Sequence, residues 1–173
     1  MKGTIVKCLK ELVEKKFGKD KWNTICEKSS FSGGSLISLT ADIDDAVVMK
    51  LLQNTCSTLG VSMEQAADAF GDYWVNDYAP AIYKSIFSKF KSTREFILGM
   101  DDIHIMITKT VPNAKPPRFT YKFTDDKTLV MTYDSSRGLI VVLMGLVKGL
   151  GRYFNEKVTV SKINDKSIKI VFA

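Results

Sequence analysis

The spacing of the apolar residues changes at residue 118, where the chain reads RFTYKFTDDKTLVMTYDS over residues 118–135. Its two ends place aromatic and aliphatic residues at alternate positions, and Asp125-Asp126-Lys127 separates them. Alternation with a period of two predicts a half-buried strand, and a short polar connection between two such runs predicts a hairpin. We therefore expect strands at 118–124 and 128–135, joined as one antiparallel hairpin.

The C-terminal region repeats this arrangement. Strands are predicted at 158–163 and 167–172, linked by the polar residues Asn164-Asp165-Lys166. Between the two hairpins, residues 139–153 carry apolar side chains at helical spacing. The last third of the chain thus predicts a four-stranded antiparallel sheet with one helix packed on it.

The residues before 118 predict helices. Gly18 suits the left-handed cap at the end of the first helix, and the Gly33-Gly34 pair predicts a break in the chain. Ser62 and Gln65 fit a capping box, in which each side chain accepts a hydrogen bond from the other residue's backbone N–H. The predicted helices cover residues 2–17, a short segment through Trp22, 44–60, 62–78, 82–90 and 93–111.

Prolines set two of these helix ends. Pro80 is expected to stop the helix that begins at Ser62, and Pro112 to stop the last helix near Val111. Ser92 or Thr93 can cap that last helix.

The order of elements predicts an α+β fold, with an N-terminal helical lobe followed by helices packed on a four-stranded antiparallel sheet. At 173 residues and 45% hydrophobic content, the chain is long enough for one domain with its own core. A hinge near Leu59-Gly60-Val61 would divide this domain into residues 1–60 and 61–173.

Composition excludes several classes of protein. No stretch reaches the roughly 20 apolar residues of a membrane span, and charged residues interrupt the N-terminus too early for a signal peptide. We expect a soluble, cytoplasmic protein. Cys8, Cys26 and Cys56 are too widely spaced for a disulfide framework, a zinc site or a Cys-x-x-Cys-His attachment of heme.

The formal net charge is +6, but the lysines are scattered and no arginine-rich tract or nucleic-acid motif occurs. We interpret the charge as a solvated surface, with neither nucleic acid nor membrane as a partner.

The only histidine, His104, lies on the apolar stripe of its predicted helix, together with Ile97, Met100, Ile107 and Val111. A histidine in this position is most often a core residue whose two nitrogens are satisfied by neighbours. It can also be an axial ligand of heme iron, with its second nitrogen hydrogen-bonded to Asp101 or to a backbone carbonyl. Its position alone leaves both interpretations open.

Tyr133, Ser135 and Arg137 would share one face of the second strand with the apolar residues Leu129 and Met131. Such a gradient fits an amphiphile whose hydrocarbon lies inward and whose carboxylates reach the arginine and the hydroxyls. An ordinary half-exposed strand, with its arginine paired to a surface acid, has the same pattern.

Five segments in this order resemble the heme-nitric oxide/oxygen binding (H-NOX) domain, the sensor domain also found in soluble guanylate cyclases. The resemblance spans nearly the whole chain. The segments are Met1-Lys2-Gly3-Thr4-Ile5, Phe70-Gly71-Asp72-Tyr73-Trp74-Val75, Met100-Asp101-Asp102-Ile103-His104, Pro116-Pro117-Arg118-Phe119 and Tyr133-x-Ser135-x-Arg137.

The resemblance implies a heme b cofactor, iron-protoporphyrin IX, held noncovalently and buried between a distal lobe (1–60) and a proximal lobe (61–173). It makes His104 the proximal iron ligand and Pro117 the residue that presses on and distorts the porphyrin. Heme propionates would bind Tyr133, Ser135 and Arg137. The pocket would be lined by Ile5, Trp74 and Leu146.

The resemblance also implies which gas is bound. Family members that bind dioxygen stably carry a distal tyrosine, and counting from Tyr133 places that position at Val142. Valine donates no hydrogen bond to bound dioxygen, so we expect binding of nitric oxide, and also of carbon monoxide. The indole N–H of Trp74 is an alternative donor, which keeps a dioxygen-binding sensor open.

The resemblance further implies a sensor rather than an enzyme. Nitric oxide would break the iron–His104 bond, leaving a five-coordinate nitrosyl, and let the two lobes shift. We expect a bacterial stand-alone domain that signals in trans to a histidine kinase or a cyclic-di-nucleotide enzyme.

Two alternatives stay open. One is a peroxidase-like enzyme, disfavoured because the chain has no second histidine, and the other is a heme-free binder of an apolar carboxylate at Arg137.

Overall fold

Helices precede strands along the chain, as the sequence predicts. The structure is a computed structural model that describes residues 1–32 and 36–173, so the predicted break at Gly33-Gly34 lies outside the described residues. The helices are α1 (Gly3–Phe17), α2 (Lys19–Lys28), α3 (Asp45–Leu59), α4 (Met63–Tyr73), α5 (Ala79–Ile82), α6 (Lys84–Phe87), α7 (Thr93–Thr110) and α8 (Ile140–Tyr153), with a π-helical segment (Trp74–Tyr78) between α4 and α5. The strands are β1 (Arg118–Phe123), β2 (Thr128–Asp134), β3 (Val158–Asn164) and β4 (Ser167–Phe172).

The described residues form two compact units, Met1–Ala66 and Ala67–Ala173. The first contains α1 to α3 and the first turn of α4, and the second contains the rest of α4, the remaining helices and the sheet. The roles of distal and proximal lobe for residues 1–60 and 61–173 stay a prediction. No described helix is long and apolar enough to cross a membrane.

In the first unit, α1 starts directly on an extended segment. The backbone N–H of Gly3 donates to the carbonyl of Ala41 at 2.8 Å, and a Cβ at Gly3 would collide with the carbonyl of Ser38. This close approach requires glycine. The helices then bury a common apolar core of Val6, Leu9, Leu12, Val13, Trp22, Ile25, Val48 and Leu51.

In the second unit, the four strands are antiparallel in the order β1-β2-β4-β3. Phe119 pairs with Tyr133 across β1 and β2, and Met131 pairs with Ile168 across β2 and β4. One face of this sheet is buried, since Leu129, Met131 and Ile168 are at most 1% exposed. The predicted α+β class and four-stranded sheet are confirmed.

α4 and α8 touch through their backbones. A Cβ at Gly71 would collide with the backbone of Gly145, and a Cβ at Gly149 would lie 2.6 Å from the carbonyl oxygen of Gly71. Ion pairs flank this crossing, with Lys148 Nζ 2.9 Å from Asp68 Oδ1 and Arg152 Nε 2.5 Å from Asp72 Oδ1. The glycines bring the two helices closer than any larger residue would allow.

The helix caps follow the sequence closely. The backbone N–H of Ser62 donates to Gln65 Oε1 at 2.8 Å, and that of Gln65 donates to Ser62 Oγ at 3.2 Å, which confirms the capping box. Ser92 Oγ caps α7 by accepting from the N–H of Glu95 at 3.1 Å. Gly18 ends α1 as predicted, with a φ of +88°, but its ψ of 160° differs from that of the predicted left-handed cap.

Two predicted boundaries are wrong. The helical path does not stop at Pro80, because the Ala79 N–H donates to the Trp74 carbonyl in a wider π turn, and Pro80 then falls in the first turn of α5, where its missing N–H is harmless. The helix predicted at 82–90 covers only Lys84–Phe87, because Tyr83 leaves the helical conformation before it and residues 88–89 form a turn after it.

A third predicted boundary, the end of β2, is also wrong. The strand stops at Asp134, so Ser135 lies outside it and Arg137 lies in a turn. The neighbouring β1 starts only at Arg118, because Pro116 and Pro117 have no N–H for a sheet ladder, and Asp134 is the last residue with a partner on that side. The shared strand face predicted for Tyr133, Ser135 and Arg137 therefore ends at Tyr133.

Candidate functional site

The imidazole of His104 lies half-buried on α7, and its hydrogen bonding fixes which nitrogen carries the proton. Nδ1 lies 2.7 Å from the carbonyl oxygen of Pro117. Because a carbonyl can only accept, Nδ1 carries the hydrogen and donates, which leaves a lone pair on Nε2. Nε2 makes no hydrogen bond with residues 1–32 or 36–173. This is the tautomer and orientation that a metal-binding histidine needs.

Burial keeps this imidazole neutral. It lowers the pKa of His104 below its usual value, while the Pro117 carbonyl and the Asp101 carboxylate act in the opposite direction. The ring centroid of Phe119 lies 5.2 Å from that of the imidazole. Burial thus outweighs the hydrogen bond and the carboxylate, and it favours the uncharged, ligand-competent form of the imidazole.

Asp101, one helical turn before His104, clamps the strand that follows Pro117. Its Oδ1 accepts from Arg118 Nε at 2.8 Å and from the Phe119 backbone N–H at 2.9 Å, and its Oδ2 accepts from Arg118 Nη2 at 2.7 Å. The hydrogen bonds from Arg118 lower the pKa of Asp101 to about 2. α7 therefore holds residues 117–119 through both a carboxylate and an imidazole.

Tyr133 is the buried end of the apolar face of β2. Its side chain is 5% exposed, and its ring centroid lies 6.2 Å from that of Phe119. Phe119 therefore contacts both His104 and Tyr133, which places these two candidate residues around one aromatic ring.

Ser135 and Arg137 lie together in the turn after β2. Ser135 Oγ accepts from the Arg137 backbone N–H at 3.3 Å, and Arg137 Nη1 donates to the carbonyl of Lys115 at 2.6 Å. Gly138, with a φ of +64°, continues the turn toward α8. The carbonyl of Lys115 belongs to the same short segment as Pro117, so Arg137 binds the connection between α7 and β1.

The remaining predicted pocket residues lie on three helical elements. Trp74 in the π-helical segment and Leu146 on α8 are half-buried and pack against the apolar core of the second unit. The Trp74 ring stacks between Phe70 and Tyr78, with ring centroids 5.9 and 5.4 Å away. Val142 is half-buried in the first turn of α8, and Ile5 is half-buried on α1 in the first unit. The second unit thus contains all the predicted site residues except Ile5.

A family model described as haem-NO-binding matches residues 2–162. The chain belongs to the H-NOX family. This match covers the whole site described above, from Ile5 to Leu146. The chain is therefore an H-NOX domain of the heme-based gas-sensor family related to soluble guanylate cyclases, and the predicted resemblance is confirmed.

Relatives and solved structures agree with this assignment. Soluble guanylate cyclase gcy-35 of Caenorhabditis elegans is 25% identical over 170 residues, which cover 96% of this chain and 25% of the relative. The chain thus spans about a quarter of the length of the curated relatives it matches.

Two solved H-NOX structures share the fold. One is an H-NOX protein from S. oneidensis in the Fe(II)NO ligation state, with a TM-score of 0.88, 20% identity and coverage of 99% of this chain and 98% of that chain. The other is an oxygen-binding H-NOX domain related to soluble guanylate cyclases, in its oxygen complex, with a TM-score of 0.84, 23% identity and coverage of 99% and 95%. One fold thus accompanies both gases, and selectivity has to be sought in individual side chains.

The residues of this H-NOX domain fit a heme. The lone pair on His104 Nε2 is the donor that heme iron requires, and the hydrogen bond from Nδ1 fixes the ring. Arg137 and the hydroxyl groups of Tyr133 and Ser135 supply donors suited to carboxylates. All three belong to one short segment at the end of β2.

The sequence did not reveal the Asp101 clamp. It offered Asp101 or a backbone carbonyl as the partner of His104 Nδ1, and the structure selects the carbonyl of Pro117. Asp101 instead binds Arg118, a residue 17 positions away, which no periodic pattern connects to it. The acidic residue at helical spacing before His104 was the only indication that it had a role.

Proposed function

We propose that this H-NOX domain is a nitric oxide sensor that binds the gas at a five-coordinate ferrous heme held by His104. The observation that carries the proposal is the oriented, neutral imidazole, whose Nδ1 donates to Pro117 and whose Nε2 retains its lone pair. We infer a noncovalent heme b, because no cysteine of the chain has the Cys-x-x-Cys-His spacing that covalent attachment requires. A cytoplasmic location remains our expectation.

Each site residue has a distinct proposed role. His104 ligates the iron, Pro117 orients His104 and contacts the porphyrin, and Tyr133, Ser135 and Arg137 bind the propionates. Ile5, Trp74, Val142 and Leu146 line the gas pocket.

Nitric oxide is favoured over dioxygen by the side chain at position 142. Bound dioxygen carries partial negative charge and is stabilised by a hydrogen-bond donor, which valine lacks. Nitric oxide and carbon monoxide do not need such a donor. The half-buried position of Val142 in the first turn of α8 supports its place in the pocket.

Dioxygen binding is the second candidate, and one observation favours it. The indole N–H of Trp74 makes no hydrogen bond within the described part of the chain, residues 1–32 and 36–173. If that N–H faces the bound gas, it supplies the donor that Val142 lacks.

The sensing step that we propose releases His104. Ferrous heme, held by His104, would supply a coordination position for the gas, and nitric oxide bound there would weaken the hold of the iron on His104. His104 is then restrained by its helix and by the Pro117 carbonyl. Release of the imidazole biases α7 toward a second position, and a two-state shift of this kind can be transmitted to another protein. We propose a histidine kinase or a cyclic-di-nucleotide enzyme as the receiving partner.

The decisive experiment is the absorption spectrum of the ferrous protein, recorded without oxygen, in air, and with nitric oxide. A Soret band that air leaves unchanged, and that nitric oxide shifts to a five-coordinate nitrosyl spectrum, would support the proposal. A stable oxygenated spectrum in air would replace it with the dioxygen sensor. The absence of a Soret band after addition of heme would refute both and favour the heme-free binder of an apolar carboxylate.

A further inference from the structure

The corner between α1 and α2 carries a local excess of positive charge that the overall composition does not show. Residues 15–21 contain the four lysines Lys15, Lys16, Lys19 and Lys21 and one acid, Asp20, so this segment has a net charge of +3. The whole chain has a net charge of +6. Seven residues therefore carry a net charge equal to half of the net charge of the whole chain.

This corner projects into solvent. All residues from 15 to 21 are exposed, and a Cβ added at Gly18 would meet no atom within 4 Å. The helices on both sides are firmly held, because Val13 and Trp22, which flank the segment, are 1% and 0% exposed. The corner is thus a fixed protrusion of the first unit.

A single aromatic side chain lies at the centre of these lysines. Phe17, the last residue of α1, is 47% exposed, although the apolar face of the same helix is buried through Leu9, Leu12 and Val13. The neighbouring acids Glu11 and Glu14 pair with Lys7 and Lys10 one turn earlier. Within the described residues 1–32 and 36–173, Lys16, Lys19 and Lys21 form no ion pair with an acid. The corner therefore combines an exposed ring with a local net charge of +3.

We propose that the segment 15–21, which we call the lysine corner, binds an anionic membrane surface peripherally. Its lysines would face the phosphates of the lipid headgroups, and the Phe17 ring would enter the boundary between headgroups and acyl chains. The long lysine stems can lie along this boundary while their ammonium groups stay in water. This inference is independent of the proposed gas sensing, and it replaces the expectation of no membrane partner.

The composition of the corner favours lipid over a protein or a nucleic acid. Protein interfaces are depleted in lysine and enriched in arginine and clustered aromatic residues, whereas the corner has four lysines, no arginine and one aromatic ring. Single-stranded nucleic acids are bound through several stacked aromatic side chains. An anionic bilayer requires only point charges and a small apolar insertion.

The test is co-sedimentation of the full chain with vesicles of phosphatidylcholine alone, or of phosphatidylcholine and phosphatidylglycerol in equal parts. We expect binding only to the anionic vesicles. Each lysine near an anionic surface increases partitioning onto that surface roughly fivefold. The double variant Lys16→Glu/Lys19→Glu should therefore bind the anionic vesicles at least about tenfold more weakly than the unchanged protein. The control Lys84→Glu/Lys89→Glu has the same net charge and changes exposed lysines of the second unit. It should bind like the unchanged protein.

Variants of Phe17 distinguish insertion into the membrane from simple attraction between charges. Phe17→Ser should weaken vesicle binding several-fold without changing retention on heparin. In Phe17→Trp, the added tryptophan fluorescence should be quenched by brominated lipids, with the unchanged protein as the baseline for Trp22 and Trp74. Equal loss of binding in both charge variants, or unchanged vesicle binding in Phe17→Ser, would overturn the proposal in favour of diffuse attraction to any polyanion.

Discussion

Asp101 and Arg118 join α7 to the start of β1 through two parallel hydrogen bonds of 2.8 and 2.7 Å. Arg118 directly follows Pro117, whose carbonyl accepts the hydrogen bond from His104. The carboxylate therefore holds in place the acceptor that orients the imidazole. Residues 101 and 104 act on residues 117–119 from successive turns of one helix.

The first prediction concerns acid stability. Arg118 lowers the pKa of Asp101 from its ordinary 3.8 to about 2 in the folded protein. Because the folded pKa is the lower one, this ion pair stabilises the fold above pH 3.8 and its contribution is lost as the pH falls through about 2. We expect Asp101→Asn to lower the free energy of unfolding at neutral pH by about 1 kcal/mol and to flatten its decline in this acid range.

Urea unfolding at a series of pH values measures this effect. Asp102→Asn is the matched control, since it removes the same charge from the next residue of α7, where the carboxylate is exposed. If Asp101→Asn kept the same dependence on pH as the unchanged protein, the clamp would have no role in acid stability.

The second prediction concerns the iron ligand. We expect His104→Gly to lose the Soret band of the ferrous protein, because no other histidine is present in the chain. Free imidazole should restore the band by occupying the space of the missing side chain. A glycine inside a helix also destabilises it by about 1 kcal/mol, so Lys109→Gly on the same helix provides the control.

Lys109→Gly should keep its Soret band. Retention of an unchanged band in His104→Gly would show that His104 is not the ligand. With free imidazole bound, hydrogen exchange in α7 of this variant should be the same with and without nitric oxide. The reason is that the bound imidazole is no longer covalently attached to the helix.

The third prediction concerns selectivity between gases. We expect Val142→Tyr to increase the affinity for dioxygen by roughly 10- to 100-fold, since a hydrogen bond to a charged acceptor contributes about 1.5–3 kcal/mol. Absorption spectra of the ferrous variant titrated with dioxygen measure the change. Val142→Phe is the matched control because it adds the ring without the hydroxyl. Equal dioxygen affinity in the two variants would mean that position 142 does not face the bound gas.

The fourth prediction concerns the crossing of α4 and α8. A Cβ at Gly145 would collide with the backbone carbonyl of Ala67, and neither helix backbone can move aside cheaply. Gly145→Ala should therefore lower the free energy of unfolding by about 1–3 kcal/mol, despite the higher helix propensity of alanine.

Gly99→Ala on α7 is the comparison for this prediction. There the added Cβ would lie 2.6 Å from the far end of the Phe90 ring, which can rotate away. Thermal unfolding should show Gly99→Ala near or above the unchanged protein and Gly145→Ala clearly below it. Equal melting temperatures for the two variants would argue against a rigid backbone contact.

Much of this fold follows from local patterns. The period of two in residues 118–135 predicted β1 and β2, and the Ser62–Gln65 capping box predicted the start of α4, because both depend on residues close in sequence. No local pattern predicted the π-helical segment Trp74–Tyr78, because it depends on how the helical path continues through Pro80.

The site was predictable in its residues but not in its contacts. Spacing and family resemblance selected His104, Tyr133, Ser135 and Arg137, and their heme-binding roles stay predictions. The role of the Pro117 carbonyl as the partner of Nδ1 depends on how α7 meets β1. Likewise, the end of β2 at Asp134 is set by the prolines that precede the neighbouring strand β1, which the sequence of β2 alone does not show.

α7 is anchored unevenly along its length. Its buried residues, Thr93, Phe96 and Ile97, all lie in the first turns, where the Thr93 N–H also donates to Glu156 Oε2 at 2.8 Å. His104 lies 11 positions beyond Thr93, about 16 Å along the helix axis. Beyond these first turns, α7 is held instead by polar contacts, because Asp101 and His104 bind residues 117–119. A tilt of α7 about its packed first turns would therefore strain these hydrogen bonds, and a displacement of the imidazole would be passed on to β1 through Pro117.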